Sequence, residues 1–238
     1  MSSRIALQPA YVLHARPYGD TSLLMEVFSL EYGRVGLVAR GARRPGARMR
    51  AALQPFRSLL LSWSGRGDLF TMSAVEEAGA TYVLQGEALI AGFYVNELLV
   101  RLTQRHDPYV GLFTVYSQTL ESLATQPALQ PILRLFEKNL LEELGYGLAL
   151  EEDVQGNPIQ PERNYQYQVE TGAVALESEA PMGGNSVRGA TLLALGRNEP
   201  LSQEGLGEAK RLMRYVLAHY LGASPLRTRQ LFRDLNQG

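Results

Sequence analysis

The stretch "YVLHARPYGDTSLLMEVFSLEYGRVGLVAR" (residues 11–40) holds three short apolar runs separated by two turns that contain glycine. From Tyr11 onward, the side chains of the first run alternate between two faces. "PYGD" ends this run, and "YGR" separates the second run from the third, which starts at Val35. Period-two alternation between such turns is typical of antiparallel strands. The stretch therefore predicts three consecutive β-strands.

Two further runs extend this pattern towards residue 80. Leu59, Leu61 and Trp63 alternate with serines, "SGRGD" forms a tight turn, and "LFTMSAVE" follows it. Five strands in roughly 75 residues fit a small closed barrel, because closure removes exposed sheet edges. The sequence predicts an antiparallel meander that closes into an OB-type barrel over residues 1–80.

After Thr81 the apolar period changes from two to that of a helix. "EALIAGFYVNELLVRLTQRH" (residues 87–106) carries a helical apolar stripe. Further helices are predicted at 109–125, within 131–144, at 202–221 and at 226–235, and a loop with a small β-hairpin at about 151–180. The predicted fold class is α+β, with an N-terminal five-stranded barrel and a mostly helical domain over residues 81–238.

Composition limits the possible classes of protein. The chain has 238 residues, 45% hydrophobic and 20% charged, which is ordinary for a globular protein. No apolar run is long enough for a transmembrane helix, and the N-terminus lacks the features of a signal peptide. No cysteine is present, so neither disulfides nor thiolate metal sites can form. A cytoplasmic protein without membrane contact is expected.

Charge is distributed unevenly although the net charge is only −1. Residues 1–80 carry ten arginines and six acidic residues, and no acidic residue occurs between Glu31 and Asp68. Guanidinium groups suit phosphate and stack on bases, and loops of OB-type barrels flank nucleic-acid grooves. Nearby aromatic residues could add base stacking, although most should be core: Tyr11, Phe28, Tyr32, Phe56, Trp63 and Phe70. The predicted DNA-binding residues are Arg34, Arg40, Arg43, Arg44, Arg48 and Arg50.

A second basic surface is predicted near the C-terminus. Its residues are Arg211, Arg214, Arg227 and Arg229. For these arginines a solvated helix face is an equally good interpretation, because amphipathic helices commonly carry charge on the side away from the core.

The sequence carries no convincing catalytic pattern. The three histidines lie in separate elements, and neither "GARRPGARMR" nor "GGNSVRG" has the context of a phosphate-binding loop. One group of acidic residues could suggest the metal site of a magnesium-dependent nuclease. A solvated acidic surface is the better interpretation of this group, which consists of Glu142, Glu143, Glu151, Glu152 and Asp153. We expect no enzyme, no metal and no cofactor.

Taken together, several segments resemble a known family in their order along the chain. "YVLHARPYGDTSLLMEVFSLEYGRVGLVARGAR" is followed by "LQPF", "YVNELL", "LGYG" and "PLRTRQLFRDL". This series resembles the bacterial DNA repair proteins of the RecO family, over nearly the whole chain. The resemblance implies an oligonucleotide-binding barrel followed by a helical domain.

The resemblance also implies a function without covalent catalysis. RecO proteins are recombination mediators of the RecF pathway that bind single- and double-stranded DNA and anneal complementary strands. With RecR they help RecA to load on strands coated by single-strand-binding protein. Many relatives hold zinc with four cysteines after "LGY"; this chain has none there and resembles the zinc-free proteobacterial branch.

Family members also accept the C-terminal tail of single-strand-binding protein on the helical domain. An acidic, apolar-ended tail needs an apolar pocket with a basic rim. Leu133, Arg134 and Leu141 are the candidates in this chain. An alternative hypothesis is a protein-interaction adaptor whose contact with nucleic acid is incidental.

Overall fold

The computed structural model describes residues 3–47, 49–177 and 184–235. The predicted DNA contact Arg48 and the side chain of Arg229 lie outside this description. The chain forms two compact units. One comprises residues 1–125 and 226–238, and the other comprises residues 126–225.

A five-stranded closed barrel forms the first part of the chain. Its strands are β1 (Ser3–Tyr18), β2 (Ser22–Ser29), β3 (Gly33–Ala39), β4 (Arg57–Gly65) and β5 (Leu69–Thr81). Around the barrel the order is β1-β2-β3-β5-β4, and β4 closes the sheet by pairing antiparallel with β1. The predicted barrel and its α+β class are confirmed.

The predicted meander is wrong in one respect. Strand β3 pairs parallel with β5, with Leu37 opposite Phe70, whereas a meander would pair β3 with β4. Parallel neighbours cannot be joined by a tight hairpin, so the chain must cross over between them. The connection through residues 40–56 and β4 makes this crossover. It places the arginine-rich segment over one end of the barrel.

Alternating side chains fill the barrel interior, as period two requires. Full burial of one Leu or Val side chain contributes about 1.5–3 kcal/mol to folding, so these residues dominate the stability of the barrel. Trp63, at 1% exposure, packs edge-on against Tyr32 with ring centroids 5.6 Å apart. The other fully buried members include Val12, Met25, Val27, Leu37, Leu59 and Leu61.

The crossover segment is attached to the barrel at several points. Ala42 and Leu53 are buried in the barrel core on either side of the short helix α1 (Met49–Ala52). The backbone N–H of Arg43 donates to the Thr21 carbonyl at 2.8 Å. The segment therefore follows a defined path past the turn between β1 and β2.

Besides α1, three longer helices among the described residues belong to the same compact unit as the barrel. They are α2 (Gly86–Leu102), α3 (Val110–Thr125) and α7 (Thr228–Leu235). The Asn96 amide donates to the Leu13 carbonyl at 2.9 Å, and the buried Tyr116 hydroxyl donates to Asn96 at 2.7 Å. The predicted domain boundary near residue 80 falls at the end of β5, although α2 and α3 pack with the barrel.

The second unit contains helices and a three-stranded sheet ordered β7-β6-β8. Its elements are α4 (Leu129–Glu143), β6 (Asn164–Gln168), β7 (Gly172–Ala175), β8 (Ser186–Arg188), α5 (Gly189–Gly196) and α6 (Gln203–Leu221). The predicted hairpin is β6 and β7. The sequence analysis did not predict β8 or α5, because three and eight residues are too few for a clear period.

Gly33 should be the least replaceable glycine of the barrel turns. Its φ is +59°, and a Cβ there would collide with the backbone of Asp107. Gly19 has a similar φ of +56° but open space around it. We expect Gly33→Ala to lower the free energy of unfolding by more than about 2 kcal/mol, and Gly19→Ala by about 1 kcal/mol. Urea unfolding measures both, and equal losses would contradict the contact with Asp107.

Candidate nucleic-acid interface

Three strand ends of the barrel surround one open groove of about 460 Å³. The turn between β1 and β2 contributes Tyr18, Thr21 and Ser22. The end of β3 and the first residues of the crossover form one wall, with Val38, Arg40, Gly41 and Arg44. The start of β5 forms the other wall, with Leu69, Phe70 and Thr71. We call this feature the barrel groove. Parallel pairing of β3 with β5 places its two walls side by side.

The crossover arginines that the structure describes lie apart from acidic side chains. Within the described part of the chain, no carboxylate lies within ion-pair distance of Arg40, Arg43, Arg44 or Arg50. The Arg43 side chain donates to the Gly19 carbonyl at 3.2 Å, which holds it beside the β1–β2 turn. A phosphate could therefore approach these guanidinium groups without displacing an internal carboxylate.

Aromatic and apolar surface accompanies this charge. Tyr18 is 48% exposed and Leu69 is 41% exposed, and both line the barrel groove. Apolar surface collected at one site is a feature of binding surfaces. Phe70 lines the barrel groove and packs edge-on against the ring of His106, with centroids 5.6 Å apart. Phe70 is therefore held in place, whereas Tyr18 extends from an exposed turn. Both rings could stack on nucleobases.

Phe70 is one of the aromatic residues that the sequence suggested for base stacking, whereas Tyr18 is not among them. Of the other candidate aromatics, four are buried in the protein, and Tyr32 packs on Trp63. The buried four are Tyr11, Phe28, Phe56 and Trp63. Tyr18 could have been found from its place in "PYGD", because an aromatic residue in a polar turn has no core to enter.

Arg34 differs from the other predicted DNA contacts because its donors are already occupied. Its Nη1 donates to Glu26 Oε2 at 2.9 Å, and its Nη2 donates to the Thr103 carbonyl at 2.9 Å. The Arg105 guanidinium contacts the other Glu26 oxygen. Glu26 thus links two arginines, and this geometry favours a structural role for Arg34.

The second basic surface is divided between the two compact units. Arg211 and Arg214 are exposed on α6, while Arg227 is exposed just before α7. The Arg227 backbone N–H donates to Glu97 Oε1 at 2.8 Å, so Glu97 caps the N-terminus of α7. A shared contact surface of these residues stays a prediction.

Residues predicted to receive a partner tail lie on the buried side of α4. Leu133 and Leu141 are 3% and 0% exposed. The Arg134 side chain is 7% exposed and donates to Glu137 at 2.7 Å. A tail pocket at these positions stays a prediction, and it would require these side chains to become exposed on binding.

Three acidic residues in the last turn of α4 and in the segment after it make local contacts. Asp153 accepts hydrogen bonds from the backbones of Asn157 and Gln155, both at 2.9 Å, and these bonds lower the pKa of Asp153. Glu151 pairs with Arg197 at 3.6 Å, and Glu142 with Lys138 at 3.4 Å. Among the residues placed by the structure, no group of three or more His, Asp or Glu side chains could hold a metal ion.

The fold and the barrel groove define a class of protein, namely an OB-type barrel with a basic rim that is followed by a helical domain. Comparison with known families agrees. The domain described as "Recombination protein O N terminal" matches residues 1–80, and "Recombination protein O C terminal" matches residues 84–230. The chain belongs to the RecO family of DNA repair proteins.

Full-length relatives support this membership. The chain is 52% identical to the DNA repair protein RecO of Nitrosococcus oceani, over 98% of this chain and 95% of that protein. It is 48% identical to the RecO protein of Alkalilimnicola ehrlichii, over 98% and 92% of the two chains. The RecO protein of Nitrosospira multiformis is 45% identical, over 97% and 96%. Within the described residues, every helix is too short or too polar to cross a membrane.

Stability measurements should separate structural arginines from unpaired ones. Arg34→Met keeps the apolar stem but leaves Glu26 with one partner fewer, so we expect it to lower the free energy of unfolding by about 2 kcal/mol. Arg44→Met removes no ion pair and should change it by less than about 0.5 kcal/mol. Urea unfolding checks both variants. Equal effects would show that the Glu26 contacts contribute little.

Proposed function

We propose that this protein is a recombination mediator that binds DNA through the barrel groove and the crossover arginines. The observation that carries the proposal is the set of unpaired guanidinium groups beside exposed aromatic surface. Arg40 and Arg44 line the same groove as Tyr18 and Phe70. Cation and ring at one site match the two chemical components of a nucleotide.

Single strands fit this groove better than duplexes. Phosphates would lie along the crossover arginines, while unpaired bases stack on Tyr18 and Phe70. In a duplex the bases are already stacked on each other, so a duplex would gain only the phosphate contacts. Double-stranded DNA should therefore bind, but without the contribution of the rings.

Strand annealing follows from the same contacts. Two complementary strands repel each other through their phosphates, and arginines that neutralise those phosphates reduce the repulsion. Phosphate contacts carry no sequence information, so strands of any sequence could be held. We further propose, from family membership, that the protein acts with RecR to help RecA load on strands coated by single-strand-binding protein. We also propose that the second unit binds the C-terminal tail of single-strand-binding protein.

An adaptor function is the alternative. It is favoured by the acidic character of the second unit, where residues 139–162 contain six acidic and no basic residues. In that case, removal of the crossover arginines should leave RecR and tail binding intact and should not affect repair. Complementation of a repair-deficient strain by the combined variant Arg40→Gln, Arg43→Gln and Arg44→Gln distinguishes the two functions.

Salt dependence tests the arginine contacts. If five crossover arginines contact single-stranded phosphate, log K should fall with log salt with a slope of about −3.5. The combined variant Arg40→Gln, Arg43→Gln and Arg44→Gln removes three of these contacts, so its slope should be about −1.4. Fluorescence anisotropy with a labelled oligothymidine across a salt series measures the slope.

A matched control uses exposed arginines of the second unit. Arg211→Gln with Arg214→Gln should leave the slope unchanged to within about 0.3, because the loss of even one contact would change it by about 0.7. If this control lowers the slope and the crossover variant does not, DNA binds at the second basic surface and the proposed groove is wrong.

Tyr18 tests base stacking separately from charge. Tyr18→Leu should weaken oligothymidine binding by about 1–3 kcal/mol, whereas Tyr18→Phe keeps the ring and should bind nearly as well. Duplex affinity should be unchanged in both variants. Equal weakening of single and double strands by Tyr18→Leu would show that the residue acts on the shape of the turn and not by stacking.

A further inference from the structure

A second cavity lies within the unit of residues 126–225 and has a different chemistry from the barrel groove. It has a volume of about 290 Å³. Its walls come from the segment after α4, the turn between β6 and β7, and the last turn of α6. Three tyrosines line it, namely Tyr146, Tyr167 and Tyr220. We call this feature the tyrosine pocket.

The three tyrosines have distinct environments. Tyr146 and Tyr220 are stacked, with centroids 4.2 Å apart and an interplanar angle of 17°. Tyr146 is nonetheless 45% exposed, so part of its surface is open to a ligand. Tyr167 is 3% exposed, and burial raises the pKa of its hydroxyl to about 12. The Tyr167 phenol therefore stays neutral at physiological pH, and the three rings together give the pocket aromatic walls.

Among the described residues that line the tyrosine pocket, one carries a fixed charge, and this charge is negative. Glu170 lies on its wall, and its side chain is 70% exposed. Burial raises the pKa of Tyr220, and the Glu170 carboxylate raises it further. His219, next to Tyr220 on α6, contacts Glu170 at 3.3 Å. Of the residues that the structure describes, no Lys or Arg lines the pocket.

Two helices also end at the tyrosine pocket. Helix α4 ends at Glu143, and Gly145 directly after it is a lining residue. Helix α6 ends at Leu221, one residue after Tyr220. The C-terminus of a helix carries a partial negative charge that favours cations. The acidic residues of the 139–162 segment, together with these helix ends, make the region unfavourable for phosphate.

We propose that the tyrosine pocket binds an arginine side chain presented by a partner protein. A planar guanidinium stacks on tyrosine rings and pairs with carboxylates through parallel hydrogen bonds. In this pocket Tyr146 provides the ring and Glu170 provides the carboxylate. A volume of 290 Å³ accommodates one such side chain but is small for a folded element. The negative surroundings exclude nucleic acid as the occupant, so this site is separate from the barrel groove.

A small arginine analogue provides the test on the full-length protein. N-acetyl-arginine methylamide, titrated while amide shifts are followed by NMR, should give saturable shifts at Gly145, Gly147 and Gly172. The citrulline analogue has the same shape without the charge and should bind at least about tenfold more weakly. Equal shifts by the two analogues would overturn the proposal, and so would the absence of saturable shifts.

Variants assign the binding to the tyrosine pocket. Glu170→Gln should weaken binding of the arginine analogue about tenfold, and Tyr146→Leu should weaken it while Tyr146→Phe retains it. Glu199→Gln removes an exposed acid that does not line the pocket and should have no effect. Thermal unfolding of each variant verifies that it is folded. Unchanged affinity in Glu170→Gln would overturn the proposal.

A polyamine arm distinguishes a protein side chain from a free cation. Spermidine carries more charge but has no planar guanidinium, so we expect it to bind more weakly than the arginine analogue at equal ionic strength. Tighter binding of spermidine would overturn the assignment to a protein partner and would identify a small-molecule cation site.

Discussion

The parallel pairing of β3 with β5 is the constraint on which the candidate site depends. It places Gly36 opposite Leu69 and Val38 opposite Thr71, so the end of one strand lies beside the start of the other. Since parallel strands need a crossover, residues 40–56 must pass over that end of the barrel. Buried Ala42 and Leu53 hold the crossover against the core. The arginines therefore lie beside the barrel groove as a consequence of strand topology.

Glu26 gives two other arginines of the first unit a structural role. It accepts contacts from Arg34 and Arg105 and thereby attaches the segment after α2 to the barrel. The described crossover arginines have no such partner. A chain with net charge −1 thus carries one set of arginines that stabilises the fold and another that is open to solvent. The acidic segment after α4 belongs to the other compact unit.

Sequence periodicity predicted much of the fold and a smaller part of the candidate site. Alternation located all five strands of the barrel, and helical spacing located the long helices, because burial of one face imposes these periods. Alternation specifies which face of a strand is buried but not its neighbour, which is why the β3–β5 pairing was missed. The three residues of β8 were too few to show a period. The paired state of Arg34 depends on tertiary contacts that no local pattern encodes, whereas the exposure of Tyr18 agrees with its place in a polar turn.

If single-stranded DNA lies in the barrel groove, photo-cross-linking should attach the DNA to residues that line this groove. An oligonucleotide containing 5-iodouracil is irradiated with the full-length protein, and the attached peptides are identified by mass spectrometry. We expect attachment at Tyr18 or Phe70, which line the groove beside Arg40. Attachment confined to the peptides of α6 that contain Arg211 and Arg214 would contradict this expectation.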